Sequence, residues 1–329
     1  MTRATRPKAV ERLAVGAVAA RAKVPSPAKV LKGLDFPLRA PTMPTTVDPA
    51  IEEPTTGAHY DTAWARRFPA RWGRTVLLES VVRPAIKALA DPQRRGLDRI
   101  EHLEPPVIFA SNHHSHLDAG LLLSSLPEPF RYKVFTGAAA DYFFTNKVTG
   151  ALSALALNAI PIERTKVTRR SADQAAELLG DGWSMVIFPE GGRSPDGWGQ
   201  PFRGGAAYLA IRCGVPVVPV HLKGTGRILP KGANRPKPGR ATVTFGPALH
   251  PGEHEDTRRL NARIEAAVAA LADEASTDWY SARVRAHAGA SPSLTGPGTG
   301  TWRRLWERDE ARSRRRRRSS TTLAWPAVN

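Results

Sequence analysis

The residues best suited to chemistry lie in one short polar stretch, residues 112–118, which reads Asn-His-His-Ser-His-Leu-Asp. A neutral imidazole at His113 could take a proton from an attacking hydroxyl. The carboxylate of Asp118 would accept a hydrogen bond from the other ring nitrogen and fix the tautomer. A general base of this kind contributes roughly 10²–10⁴-fold in rate. The spacing therefore predicts general-base catalysis by His113 and Asp118.

Two other interpretations of the same stretch stay open at this point. Ser115 and Asp118 also have the spacing of a helix N-terminal capping box, which would explain both residues by structure alone. Three histidines within four residues could instead bind a metal ion. Because no Cys, Glu or further His at ligand spacing completes a set nearby, we expect no metal.

Apolar segments flank the stretch on both sides. Residues 106–110 form a continuous apolar run, which is typical of a strand buried on both faces. Residues 119–126 are apolar enough for a packed helix. The polar stretch would then follow the carboxyl end of a strand, where open α/β sheets bind their ligands.

The same alternation of strand and helix patterns continues along the chain. Further strands are predicted at 133–136, 159–164, 184–188, 217–222 and 242–245, and helices at 146–157, 171–180, 206–213 and 256–272. Pro219 suggests an edge or strand-end position. The pattern predicts an α/β fold with a central, largely parallel or mixed β-sheet flanked by helices.

Composition limits the class of protein and its partners. The chain has 329 residues, a formal net charge of +18 and a single cysteine, Cys213, so it cannot form an internal disulfide. The surplus of cations indicates an anionic partner: nucleic acid, anionic lipid or a phosphorylated substrate. Nucleic acid is the least favoured, because no aromatic stacking platform, zinc pattern or helix-turn-helix pattern is present.

We predict one folded domain between two tails. Residues 1–58 form a flexible basic, Pro-rich arm, residues 59–280 the domain, and residues 281–329 a disordered Arg-rich tail. The sequence has neither a signal peptide nor the roughly 20 consecutive apolar residues of a membrane-spanning helix. We therefore expect a peripheral protein on the cytoplasmic face of the cell membrane.

Amphipathic helices are predicted at about 60–90, where Trp64, Phe68 and Trp72 recur every four residues among arginines. Such an aromatic stripe with flanking guanidinium groups is typical of an interfacial membrane anchor. A helix that packs its aromatic side chains on the core and turns its arginines to water would have the same pattern.

With these elements in place, residues 96–250 resemble the lysophosphatidate (1-acyl-sn-glycerol-3-phosphate) acyltransferase family, part of the wider glycerolipid acyltransferase group. The first family motif, Asn-His-x-Ser-x-x-Asp, is matched by Asn112, His113, Ser115 and Asp118. This match implies that His113 and Asp118 are the catalytic pair.

Three further motifs follow in the family order. Residues 160–164 resemble the second motif, whose arginine, here Arg164, holds the acceptor phosphate. Residues 188–194 match the third motif, Phe-Pro-Glu-Gly-Thr-Arg-Ser, with Gly192 in place of the usual threonine. Residues 215–220 match the fourth, an apolar strand with proline.

The motifs imply a set of substrate-binding residues. Guanidinium groups at Arg164 and Arg193 suit bidentate contact with a phosphate, and a Gly191-Gly192 turn lets backbone N–H groups approach an anion. Glu190 would orient Arg193 or an acceptor hydroxyl. The full set is Asn112, Ser115, Arg164, Glu190, Gly191, Gly192 and Arg193.

The implied reaction moves a fatty acyl group from acyl-CoA or acyl carrier protein to the free hydroxyl of 1-acylglycerol-3-phosphate, which gives phosphatidic acid in phospholipid biosynthesis. It needs no cofactor, and its partners are the acyl donor, the lysophospholipid acceptor and an anionic membrane surface. Backbone N–H groups at the start of the helix after His113 are the expected oxyanion donors.

Two alternative functions stay open. The same chemistry could act on glycerol-3-phosphate, another lysophospholipid or a glycolipid. A non-enzymatic protein that binds lipid or nucleic acid through its cations is the other class. Release of coenzyme A would distinguish the enzyme from the binding protein.

Overall fold

The structure is a computed structural model that describes residues 56–163, 169–194 and 197–296. Most of the predicted arm and tail, and the predicted phosphate ligand Arg164, lie outside the described residues.

A seven-stranded mixed sheet forms the centre of the domain, which confirms the predicted α/β fold and adds one strand, Gln93–Arg95, to the six predicted. Six neighbouring pairs are joined in the order β1-β7-β6-β2-β5-β3-β4, and every pair is parallel except the antiparallel pair β6 and β7. The strands are β1 (Gln93–Arg95), β2 (Ile108–Ser111), β3 (Val134–Ala139), β4 (Ala159–Ile162), β5 (Ser184–Ile187), β6 (Val217–Lys223) and β7 (Thr242–Phe245).

Helices cover both faces of this sheet. They are α1 (Ala70–Leu77), α2 (Arg83–Ala90), α3 (Leu117–Ser125), α4 (Ala140–Phe143), α5 (Lys147–Leu157), α6 (Arg169–Gly180), α7 (Gly205–Cys213), α8 (Thr225–Ile228), α9 (Thr257–Glu274) and α10 (Trp279–His287). A π-type turn, Leu78–Val82, joins α1 to α2 just before Pro84, whose missing N–H could not continue the α-helical ladder.

Two apolar cores lie on opposite sides of the sheet, because successive side chains of a strand point to opposite faces. From β2, Phe109 packs with residues of α2 and α3 such as Leu121. Its neighbours Ile108 and Ala110 pack on the other side with α6, α7 and α9. The continuous apolar run at the start of this strand is thus buried on both faces, as predicted.

Of the two positions predicted for Pro219, the sheet edge is wrong, because Pro219 belongs to β6, an interior strand. The carbonyl oxygen of Pro219 accepts a hydrogen bond from the N–H of Gly246, 2.8 Å away, on the β7 side. The regular pairing of β6 with β7 starts one residue later, at Val220. Proline has no N–H to donate, but at this position β7 has already ended and no regular pairing with it is lost. The interior strand therefore tolerates the proline.

The C-terminal boundary also differs from the prediction at residue 281. Helix α10 runs through that position and is capped by Asp278, whose side chain accepts a hydrogen bond from the N–H of Ser281. Arg285 forms a salt bridge with Asp273 of α9, with 2.6 Å between Nε and Oδ2. The folded part thus continues through α10.

The segment before α2 exposes its large apolar side chains. Trp64, Phe68 and Trp72 are 36%, 85% and 66% exposed. They lie on separate elements, because the helix starts only after Pro69, so the single aromatic stripe expected from the spacing is broken. In the described ranges, no helix is both long enough and apolar enough to cross a membrane.

Candidate active site

His113 and Asp118 are in direct contact at the carboxyl end of β2. The Nδ1 atom of His113 lies 2.9 Å from Oδ2 of Asp118, which is fully buried. Because a carboxylate only accepts hydrogen bonds, Nδ1 carries the proton and Nε2 is left as the basic nitrogen. The imidazole also stacks on Phe188, with 4.3 Å between ring centroids. Two fixed contacts thus set the orientation of the ring.

Asp118 also fixes the segment that leads into α3, so the contacts expected of a catalytic pair and of a capping box are compatible. Its Oδ2 atom accepts hydrogen bonds from the N–H groups of His114 and Ser115, at 2.6 and 2.8 Å. The hydroxyl of Ser115 accepts from the N–H of Leu117, the first residue of the helix, at 3.2 Å. One carboxylate therefore orients the His113 ring and holds the backbone just before the helix.

These contacts engage several of the donors that we expected for an oxyanion. The N–H groups of His114, Ser115 and Leu117 are directed to the side chains of Asp118 and Ser115. The N–H of Asp118 bonds the carbonyl oxygen of Ser115. These four groups cannot stabilise an oxyanion without losing a bond, so the prediction now concerns the N–H of His116, the residue before the helix.

Glu190 has a different role from the predicted one. Its Oε1 accepts a hydrogen bond from the N–H of His113 and its Oε2 from the N–H of Gln200, each at 2.9 Å. Burial raises the pKa of this carboxyl to about 7, against the two backbone hydrogen bonds, which lower it. Glu190 thus holds the backbone at the base, whereas we expected it to orient Arg193 or a hydroxyl.

Asn112 and Ser115 are likewise buried tethers and not the substrate contacts that we expected. The side chain of Asn112 bonds both the N–H and the carbonyl oxygen of Leu222 in β6, at 2.7 and 2.9 Å. The hydroxyl of Ser115 donates to the carbonyl oxygen of Leu229 at 2.9 Å. Both side chains fix the loop that carries His113.

A cavity of about 290 Å³ opens beside His113. Its walls combine apolar side chains with a few polar groups, which is typical of ligand sites. Much of the apolar wall comes from Gly137 of β3, from Ile162 and Ile187 at the ends of neighbouring strands, and from Leu157 at the end of α5. Because β2, β5, β3 and β4 are parallel neighbours, their carboxyl ends meet at this edge.

Two described arginines, Arg193 and Arg203, line the cavity together with the Gly191-Gly192 turn. Gly191 has a φ of +68°, and a Cβ there would lie 2.9 Å from Nε of Arg203, so the turn needs glycine. The sequence analysis identified Arg193 but missed Arg203. Its position soon after the second polar loop, as a positively charged residue, could have indicated it.

Two aromatic residues at the cavity had no predicted role. Tyr142 has its hydroxyl 3.0 Å from Nε2 of His116, and Cζ of Arg193 lies 5.9 Å from the centre of its ring. Phe188 supports His113. Phe188 belongs to a recognised motif, but nothing in the sequence marks Tyr142, because only the end of β3 brings it to the site.

Comparisons with known proteins agree with this geometry. The sequence model of the acyltransferase family matches residues 92–223. The chloroplastic 1-acyl-sn-glycerol-3-phosphate acyltransferase BAT2 of Brassica napus is 37% identical over 142 residues, which cover 42% of this chain and 39% of that protein. The 1-acyl-sn-glycerol-3-phosphate acyltransferase of Pseudomonas aeruginosa is 34% identical over 178 residues, 52% of this chain and 65% of that protein.

A solved structure has a similar fold. The crystal structure of the 1-acyl-sn-glycerophosphate acyltransferase PlsC from Thermotoga maritima gives a TM-score of 0.53 at 24% identity, over 66% of this chain and 88% of that one. The chain spans less than half the length of the Brassica protein and about two thirds of the Pseudomonas protein.

Proposed function

This chain carries an acyltransferase domain at residues 92–223, and we propose that it acylates the free hydroxyl of 1-acyl-sn-glycerol-3-phosphate to give phosphatidic acid. One observation carries the proposal: a histidine whose Nδ1 is bonded to a buried carboxylate lines a largely apolar cavity. The Brassica and Pseudomonas proteins that match this chain are both named as acyltransferases for this acceptor.

The chemistry is direct transfer with His113 as general base. Nε2 takes the proton of the acceptor hydroxyl, and the oxygen attacks the carbonyl carbon of the acyl thioester. The carbon–sulfur bond then breaks, and the thiolate takes the proton from the imidazolium. Asp118 stabilises the charged imidazolium through Nδ1–H, so the base returns to its starting state without a covalent enzyme intermediate.

The cavity has a charged part and an apolar part, which suit the phosphate and the acyl chain of an amphiphilic substrate. Arg193 and Arg203 suit the acceptor phosphate, because a guanidinium group can donate two parallel hydrogen bonds to a phosphate. Arg164 lies outside the described residues, and we assign it to the same phosphate because it matches the arginine of the second family motif. The apolar wall from β3 suits a fatty acyl chain.

The donor is an acyl thioester of either coenzyme A or acyl carrier protein. Either donor brings its thioester to the same hydroxyl, so His113 has the same task with both. Parallel assays with the two donors at equal concentration will identify the physiological type.

The exposed apolar side chains before α2 favour peripheral attachment to an anionic membrane surface on the cytoplasmic side. Phe68 and Trp72 stand among Arg66, Arg67 and Arg71, so apolar insertion and charge attraction act on the same segment. A site beside a bilayer receives an amphiphilic acceptor without carrying it through water.

An acceptor panel tests the proposal. The purified protein is incubated with acyl-CoA or acyl carrier protein and with lysophosphatidate, glycerol-3-phosphate, other lysophospholipids or glycolipids, and products are identified by mass spectrometry. We expect phosphatidic acid from lysophosphatidate. His113→Ala should abolish it, whereas His102→Ala, at an exposed histidine, should not. Equal activity on acceptors without a phosphate would refute the acceptor assignment, and full activity of His113→Ala would refute the chemistry.

A further inference from the structure

A second histidine at the cavity has no part in the chemistry just described. His116 lies three residues after His113, lines the same cavity and contributes nothing to the capping box of Asp118. Its position is nevertheless fixed on two sides. The ring stacks on Tyr142 with 5.3 Å between centroids and meets Phe143 edge-on at 6.2 Å.

Tyr142 links His116 to Arg193. Its hydroxyl lies 3.0 Å from Nε2 of His116, and its ring face lies 5.9 Å from Cζ of Arg193. Three separate segments therefore converge: the loop before α3, helix α4 and the polar loop after β5. The imidazole and the guanidinium group held around this tyrosine both donate hydrogen bonds, which an anion accepts.

We propose that His116, oriented by Tyr142, is a further ligand of the acceptor phosphate, which it binds together with Arg193 while taking up a proton. This inference rests on the proposed function, because it assigns a second residue to the phosphate of that acceptor.

The hydroxyl of Tyr142 can form a hydrogen bond with His116 whether the imidazole is neutral or protonated. When His116 is neutral, the tyrosine hydroxyl donates to Nε2, and Nδ1–H remains as the donor for a phosphate oxygen. When His116 is protonated, Nε2–H donates to the same hydroxyl, because a phenol can donate or accept. The ring can therefore gain a proton without moving.

The electrostatic surroundings favour proton uptake on binding. Burial lowers the pKa of His116, and the neighbouring Arg193 and His113 lower it further, against the opposing effect of Asp118. A phosphate beside the ring replaces this repulsion by attraction and raises the pKa again. Other charged or titratable groups on the same cavity are Tyr142, Arg203 and Glu163, and Asp141 is next to Tyr142 on α4.

Three variants separate the contributions. His116→Phe keeps the aromatic packing and removes both nitrogens, His116→Gln keeps a neutral donor, and Tyr142→Phe removes only the hydroxyl. Near neutral pH, we expect His116→Phe to raise the acceptor KM roughly tenfold or more, with a far smaller change in the donor KM. His116→Gln should recover part of the affinity but not its dependence on pH.

Calorimetry measures the proton directly. Short-chain lysophosphatidate is titrated into the protein without donor, in two buffers that differ in ionisation enthalpy, near pH 7. The wild type and the exposed-site control His102→Phe should take up more protons on binding than His116→Phe and His116→Gln. The ionisation of the phosphate itself is common to all four proteins, so the difference isolates His116.

Equal acceptor KM and equal proton uptake in the wild type and both His116 variants would overturn the inference and leave the proposed function intact. A wild type that acylates only acceptors without phosphate would refute the proposed function. The calorimetric comparison would then still decide whether His116 binds phosphate, because it needs no turnover.

Discussion

Glu190 accepts a hydrogen bond from the backbone N–H of His113, with 2.9 Å between N and Oε1. A second bond returns in the other direction, since the carbonyl oxygen of His113 accepts from the N–H of Ser194 at 2.8 Å. The two polar loops, one after β2 and one after β5, are thus joined at His113. These hydrogen bonds link two motifs that lie some 77 residues apart.

Glu190 gives a prediction for stability against pH. Its pKa is raised from an ordinary value of 4.5 to about 7 by burial, so between these values the unfolded chain loses a proton that the folded chain keeps. Raising the pH through this window therefore destabilises the fold, by roughly 3 kcal/mol in all. Urea unfolding of the wild type and Glu190→Gln from pH 4.5 to pH 7 should show this loss in the wild type alone.

Other groups titrate in both proteins, so only the difference between the two curves reports Glu190. Above about pH 7 that difference should stay constant, because the carboxyl is then ionised in both states. Parallel curves across the whole range would show that Glu190 loses its proton at the same pH in the folded and the unfolded chain, and would refute the raised pKa.

His113 and Asp118 give a prediction that separates chemistry from folding. His113→Ala should lower kcat by at least about 10²-fold with unchanged thermal stability, because a general base is lost and no cap is touched. Asp118→Ala should lower kcat and also cost about 1 kcal/mol of stability, because the N–H groups of His114 and Ser115 lose their acceptor.

Asp118→Asn is the matched control, since its amide oxygen can still cap the helix. It should keep most of the stability and lose most of the activity. Equal losses of stability in the Ala and Asn variants would show that Oδ2 contributes little as a cap.

Arg193 gives a prediction for the acceptor. Arg193→Ala should raise the acceptor KM about tenfold to a hundredfold, because a charged hydrogen bond contributes about 1.5–3 kcal/mol. Arg193→Lys should recover only part of it, because an ammonium group cannot reproduce the planar two-point contact. Arg164→Ala should also raise the acceptor KM, because Arg164 matches the phosphate-binding arginine of the second family motif. Arg94→Ala, at an exposed position of β1, is the control, and an unchanged acceptor KM in both test variants would exclude phosphate binding here.

Gly137 gives a prediction for acyl-chain length. A Cβ at this cavity residue would lie 2.5 Å from Cδ1 of Ile162 and 3.2 Å from Cε of Met185. Gly137→Ala must therefore displace Ile162, itself part of the wall, and we expect the added volume to narrow the cavity. Activity with short-chain donors should rise severalfold relative to long-chain donors, measured as the ratio of kcat/KM.

Gly180→Ala is the control for this prediction, because a Cβ there meets nothing within 4 Å. It should leave the ratio of short-chain to long-chain activity as in the wild type. If Gly137→Ala also leaves the ratio unchanged, the acyl chain does not occupy this wall.

Sequence patterns predicted the parts of the site that depend on strand direction. Since β2 and β5 are parallel neighbours, the polar residues after each strand had to meet at one edge. The roles of Asn112, Ser115 and Glu190 were beyond sequence reasoning, because each depends on a distant backbone group. Leu222 and Leu229, for example, lie more than a hundred residues from the side chains that they bind.

The exposed aromatic residues before α2 give the last prediction, which concerns the membrane. Phe68→Ser and Trp72→Ser should each reduce flotation with anionic liposomes, because each removes a large apolar side chain that is 85% or 66% exposed. Trp279→Ser is the matched control, since Trp279 is 55% exposed but lies on α10. Binding that survives added salt in the wild type would assign the attachment to the aromatic residues, and binding that is lost would assign it to the arginines. A wild type that does not float even at low salt would refute attachment by either group.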